Sequence, residues 1–124
     1  MKHTEISVFD EKEEHIITML ENCGMNRSTA KILMCISIRE EACSRDIEIM
    51  TGIKSSTVSV ILKQLREDGF IKASKKQDEN TKRIILYYSI SGSMGDVLSK
   101  LAERKIKETN TYIEKIKKIK HKTG

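Results

Sequence analysis

The hydrophobic period of this chain changes at Gly69, and that change restricts the fold more than any other feature. From Ser55 to about Asp68, Val58, Ile61, Leu62 and Leu65 stand at i, i+3, i+4 and i+7, one face of an amphipathic helix. Gly69 occupies the position where a left-handed residue ends such a helix. Beyond it, Phe70–Ser74 and Arg83–Ile90 are short runs rich in β-branched and aromatic residues, the composition of strands. The polar segment KKQDENTK lies between them, so the two runs read as a hairpin with 75–82 as its turn. It lacks the Asn-Gly signal that would set its register.

Three helices precede this unit. Asp10 to Asn22 opens with a capping Asp10 and Glu13 and stops at Gly24. A second begins at Asn26-Arg27-Ser28, shows one core-facing stripe (Ala30, Leu33, Met34, Ile36, Ser37) and ends near residues 39–41. A short third segment runs from Cys43 to Met50 with Ser44 as its expected cap and Ile47 and Met50 as its buried pair, ended by Thr51-Gly52. Residues 1–10 show no period and are expected to fray. From Ser93, or capped by Asp96, a long helix extends to about His121. Its stripe of Leu98, Ala102, Ile106, Thr109, Tyr112, Ile113, Ile116 and Ile119 is too apolar for a rod free in water. A second copy packed against it as a coiled coil would bury the stripe; a helix folded back on its own domain would do the same.

The expected architecture is mainly α with a small β-hairpin wing: residues 11–92 as one domain and 93–124 as a dimerisation helix with a basic tail. The absence of Pro and Trp, only six Gly and 33% charged residues suit short connections and exposed helices better than a loop-rich catalytic scaffold. Charge is unevenly spread. Residues 1–52 carry six Lys/Arg against ten Asp/Glu, 53–99 eight against five, and 100–124 nine against three. Any polyanion contact is therefore confined to the part after residue 53. Cys23, Cys35 and Cys43 cannot all pair within one chain, no segment has the apolar length of a membrane span, and the N-terminus has no signal-like core; a cytoplasmic location is expected.

Short polar side chains at the start of the 55–68 helix let a backbone approach base edges, and the helix N-terminus offers amides and a positive dipole to phosphate. Ser55, Ser56, Thr57 and Ser59 are such residues, with Lys54 and Lys63 adding charge. Read alone, Ser55-Ser56-Thr57 is more readily an ordinary N-cap cluster than a recognition surface. The hairpin that follows carries Lys72, Lys75, Lys76, Lys82 and Arg83 on or beside its turn, where a wing meets phosphate or the minor groove. The two signals in this order make the helix-turn-helix with a wing.

The stretch TGIKSSTVSVILKQLREDGFIKASKKQDENTKRIILYYSIS resembles the helix-turn-helix and wing of MarR, TrmB and ArsR-like regulators, in the style of small archaeal members. NRSTAKILMCISIREEACSRDIEIM resembles their supporting helices, so the likeness spans roughly residues 13–92. It implies a dimeric transcriptional regulator of double-stranded DNA. Ser55, Ser56, Thr57, Ser59 and Lys63 would face the major groove, Lys75, Lys76, Lys82 and Arg83 would serve the wing, and Ser44 and Arg45 would touch the backbone. No long N-terminal dimerisation helix precedes the domain as in MarR proteins, which leaves dimerisation to the C-terminal helix.

Other readings compete. A winged helix can serve as a protein–protein module, but its recognition face should then be apolar, and Ser56 and Ser59 argue otherwise. Cys43 at the start of the short third helix invites metal sensing, yet a site needs two or three soft ligands and no second Cys sits nearby. Cys23 and Cys35 read as small buried hydrophobes. A redox role for Cys43 needs an exposed, low-pKa thiol, which a sequence does not show. With no phosphate loop, nucleophile motif or HExxH, neither catalysis nor a cofactor is expected; an effector ligand is left open.

Overall fold

The computed structural model describes residues 8–123. The order is α1 (Glu11–Asn22), α2 (Arg27–Arg39), α3 (Ser44–Thr51), α4 (Ser55–Glu67), β1 (Ile71–Gln77), β2 (Ile84–Ile90) and α5 (Met94–Thr123). Of the expected N-terminal tail, residues 1–7 lie outside the described residues; Phe9 is buried in the core.

The helix ends follow local chemistry. Asp10 and Glu13 form a reciprocal capping box, each carboxylate accepting the other residue's amide at 2.8 Å. Asn26 caps α2 through Thr29, and Ser93 and Asp96 form a second box at α5. Those hydrogen bonds hold the Asp96 carboxyl below its ordinary range: the Ser93 backbone amide contributes most, then the hydroxyl. Gly24 and Gly69 both have positive φ, and each follows a helix closed by the paired bonds of a Schellman motif. At α4 these run from the Gly69 amide to Arg66 and from the Phe70 amide to Leu65. At α3 the cap is Cys43, with Ser44 already inside the helix; Asp46 accepts the Cys43 amide at 3.2 Å. The expected Ser44 cap is thus corrected by one residue.

α2 is the centre of the domain. Ile32, Leu33, Met34, Cys35 and Ile36 are buried in succession, which at 100° per residue takes in the whole circumference. The single stripe expected there is therefore too narrow. α1 and α3 pack against it, as does β2. Val58, Ile61, Leu62 and Leu65 bury the inner face of α4, as their spacing predicts, and Phe70, Ile71 and Tyr88 carry the core into the hairpin. Burial raises the Cys35 thiol to about 11, an effect that Arg39 partly offsets. Cys35 is a core residue within 3.2 Å of the Met50 sulfur.

The strands are antiparallel in the register Ile71↔Ile90 to Gln77↔Ile84. β1 thus runs three residues beyond its expected end. Lys75 and Lys76 are strand residues, and the turn proper is 78–83. A further rung was not legible: Ala42, between α2 and α3, exchanges both backbone hydrogen bonds with Tyr88, at 3.0 and 2.8 Å. It ties the start of α3 to the wing.

α5 has two regimes. Val97 and Leu101 are buried and Leu98 is half-buried against the domain, so Leu98 belongs to the domain's own packing. From Ala102 to Lys122 every side chain is exposed.

Ile32→Ala is expected to cost about 2–5 kcal/mol of unfolding free energy through the cavity it leaves. Ile49→Ala, at a residue 73% exposed on α3, should change stability by less than about 0.5 kcal/mol. Urea denaturation of the two variants measures both; equal losses would contradict the central position of α2.

Candidate nucleic-acid interface

Four of the five helices among the described residues carry their own answer to the positive N-terminal dipole. α1, α3 and α5 have carboxylates in the first turn, and α2 has its Asn26 cap. α4 has neither: Lys54 stands at its cap without a side-chain hydrogen bond, and no acidic residue lies in its first turn. Ser55, Ser56 and Thr57 are exposed within that turn and none caps it, so the capping interpretation of this cluster does not apply. The α4 N-terminus thus keeps its amides and dipole for an external anion, next to a lysine.

The expected recognition residues divide between two flanks. Ser59 and Lys63 line a cleft together with Ser44, Arg66, Glu67 and Tyr88, formed between the start of α3, the outer flank of α4 and the hairpin. Arg45 is exposed one residue further along α3. Ser56 and Thr57 lie on the opposite flank with Val60, facing the Asn26–Ser28 start of α2. Arg66 and Tyr88 were not among the expected residues. Arg66 was readable, since Ser59, Lys63 and Arg66 form an i, i+4, i+7 row; Tyr88 reaches the cleft only through the Ala42 rung.

The hairpin tip is organised by one carboxylate. Asp78 accepts hydrogen bonds from the Thr81 hydroxyl (2.6 Å) and amide (3.1 Å), while its own amide bonds the Arg83 carbonyl at 2.8 Å. The Thr81 hydroxyl bond is the main reason that the Asp78 carboxyl lies below its ordinary range; the Thr81 amide and the charge of Arg83 act in the same sense. Lys82 sits at φ 63°, its carbonyl held by the Gln77 side chain at 3.2 Å. The turn presents Lys82 and Arg83 to solvent on a fixed backbone.

The wing lysines are not equivalent. Adjacent strand residues point to opposite faces, so Lys75 and Lys76 diverge. Lys76 is ion-paired to Glu41 and lies 5.1 Å from the Tyr87 ring centre, which engages its charge within the chain. Among the described residues Lys54, Lys63, Arg66, Lys72, Lys75, Lys82 and Arg83 form no ion pair, so their charges are available to a ligand. The described residues also bring together no group of three or more His, Cys, Asp or Glu suited to a metal. No helix among them is long and apolar enough to cross a membrane.

A sequence model of the TFIIE alpha subunit matches residues 7–121. The chain belongs to the TFIIE alpha subunit family. Among solved structures, the ST1889 protein of the thermoacidophilic archaeon Sulfolobus tokodaii is similar with a TM-score of 0.63 and 19% identity, covering 82% of this chain and 98% of that one. Wild-type MarR from E. coli, in its apo form, is similar at 0.53 and 15% identity over 88% and 89% of the two chains. The adhesin competence repressor (AdcR) of Streptococcus pyogenes follows at 0.51 and 19%, over 85% and 75%. No curated protein matches the sequence. At these identities the structural likeness is one of fold: this TFIIE alpha family chain shares the winged helix-turn-helix fold of those proteins, as the residues before and after Gly69 imply.

Because the Asp78 pKa is depressed in the folded chain, its contribution to the wing is present above the ordinary carboxylate range. It is lost as pH falls through the depressed value. Thr81→Val should move the Asp78 carboxyl up toward that ordinary range, observed by carboxyl-carbon NMR titration. An unchanged titration would show that Thr81 does not organise the tip.

Proposed function

We propose that this chain is a dimeric transcriptional regulator that binds double-stranded DNA, with α4 in the major groove and the wing on the backbone or minor groove, and that it is not an enzyme. The observation that carries the proposal is the α4 N-terminus: alone among the described helices it has no capping side chain and no first-turn carboxylate, and it sits between Lys54 and a cleft holding Ser44, Ser59, Lys63 and Arg66. Ser55, Ser56, Ser59 and Lys63 would approach base edges. Thr57 would face the major groove with them, from the flank nearer α2; Ser44 and Arg45 would bond phosphate, and Lys75, Lys82 and Arg83 the backbone beside the wing. Lys76 would join them only by leaving Glu41. The apolar residues of α5 beyond Ala102 would hold two copies together, so that two half-sites add their affinities.

A second reading has its own support. Val60, in the middle of the outer face of α4, is 69% exposed, and the family is described as a subunit. The serine-rich face is thus interrupted by an apolar residue that a protein partner could cover.

The two readings separate in a salt series of binding to the chain's own upstream region and to random duplex. Affinity for the upstream region is expected to be greater and to fall steeply with salt. Lys63→Ala, Arg66→Ala and Arg83→Ala should each weaken binding and reduce the log–log salt slope by about 1. Truncation after Leu101, which leaves Val97, Leu98 and Leu101 in the domain, should weaken binding further. Equal affinity for both duplexes would mean nonspecific binding, and no binding at low salt would favour the protein-partner reading.

A further inference from the structure

We infer that the exposed face of α5 seats a second copy of this chain in the antiparallel direction, which sets the two winged-helix units at opposite ends of a short rod. This rests on the dimeric reading above and specifies its geometry. Beyond Leu101 the helix continues for more than twenty residues, with Ile106, Tyr112, Ile113, Ile116 and Ile119 between 43% and 70% exposed. Ala102, Ile106, Thr109, Ile113 and Ile116 alternate at spacings of four and three, the seam of a two-stranded coiled coil. Lys105, Tyr112 and Ile119 flank the seam on one side; Glu103, Asn110 and Lys117 flank it on the other.

The seam leaves the direction open, and the flanking charges decide it. In a parallel pair Lys120, the next seam residue, would face its own copy. Lys117, Lys118, Lys120 and Lys122 of both copies would then gather at one end without a carboxylate beyond Glu114. In the antiparallel pair, centred near Thr111, Ile106 meets the partner's Ile116 and Thr109 meets the partner's Ile113. Glu103 then faces the partner's Lys117, twice by symmetry, and Tyr112 meets its own copy across the axis. Lys120 falls beside the partner's Ala102, small enough for the lysine stem to lie over it with the ammonium in water. Leu101, the last residue buried against its own domain, lies ten positions from the centre. The two domain roots are therefore about 30 Å apart along the rod at 1.5 Å per residue. That is of the order of the ~34 Å between half-sites one DNA turn apart.

The test is sedimentation equilibrium of the full chain without DNA, comparing wild type with Ile113→Glu, Glu103→Lys, Lys117→Glu and the double reversal E103K/K117E. All three positions are exposed and outside the domain core, and circular dichroism checks that each variant keeps its fold. Wild type is expected to dimerise and Ile113→Glu to be monomeric. Each single reversal should weaken the dimer about tenfold, because two pairs become repulsive, and the double reversal should restore it. In a parallel pair Glu103 and Lys117 are about 21 Å apart along the helix and the double reversal restores nothing. Single reversals without effect, or singles that the double fails to rescue, overturn the antiparallel assignment and leave DNA binding untouched. A monomeric wild type overturns the dimer itself, and DNA binding is judged separately by the salt series.

Discussion

The structure depends on the burial of α2. Five consecutive side chains, Ile32 to Ile36, leave no solvent face over more than one turn, so the helix is stable only when covered on every side. α1 covers it from one side, and α3 and β2 from others. Arg27, at its first turn, ties that start to α1 through Glu14 and Glu21 at 3.0 Å each. These are exposed pairs and contribute little beyond orientation. Burial of the α2 side chains is the large favourable contribution, about 1.5–3 kcal/mol for each large one.

With α2 enclosed, the position of α4 follows. Its apolar face can be satisfied only against the core that α2 and α3 form, which turns the flank carrying Ser59, Lys63 and Arg66 outward, beside Ser44. The uncapped N-terminus of α4 is then held at a surface bordered by the hairpin. The same packing brings Ala42 alongside Tyr88, so the wing is joined to the α2–α3 connection by two backbone hydrogen bonds as well as through Phe70 and Ile71. A ligand gripping α4 and the wing would meet one connected framework.

Much of this was legible residue by residue because it is local. Capping at Asp10, Asn26 and Ser93, stops at Gly24 and Gly69, and the inner face of α4 each involve side chains within a few positions of one another. What escaped is non-local. The full burial of α2 has no period to reveal it: Cys35 was read as buried, but Ile32, outside the expected stripe, is enclosed only when the other elements pack around the helix. The Ala42–Tyr88 rung is a single residue long. Lys75 and Lys76 looked like turn residues by composition, and strand pairing with Leu86 and Ile85 overrode that preference. Tyr88 joined the cleft through the Ala42 rung.

By itself, then, the sequence determined the order of the elements, the winged helix-turn-helix class and the charge asymmetry, since hydrophobic period, capping residues and residue signs act over short range. Only the tertiary structure decided which charges remain available. Lys76 is engaged by Glu41, thirty-five residues away, whereas Lys63 and Arg66 are brought beside Ser44 with no carboxylate among the described residues pairing either of them. It also decided how far α5 packs on its own domain: Leu98 and Leu101 find apolar partners there and Arg104 lies over the Phe70 ring, whereas the apolar side chains from Ala102 onward are exposed.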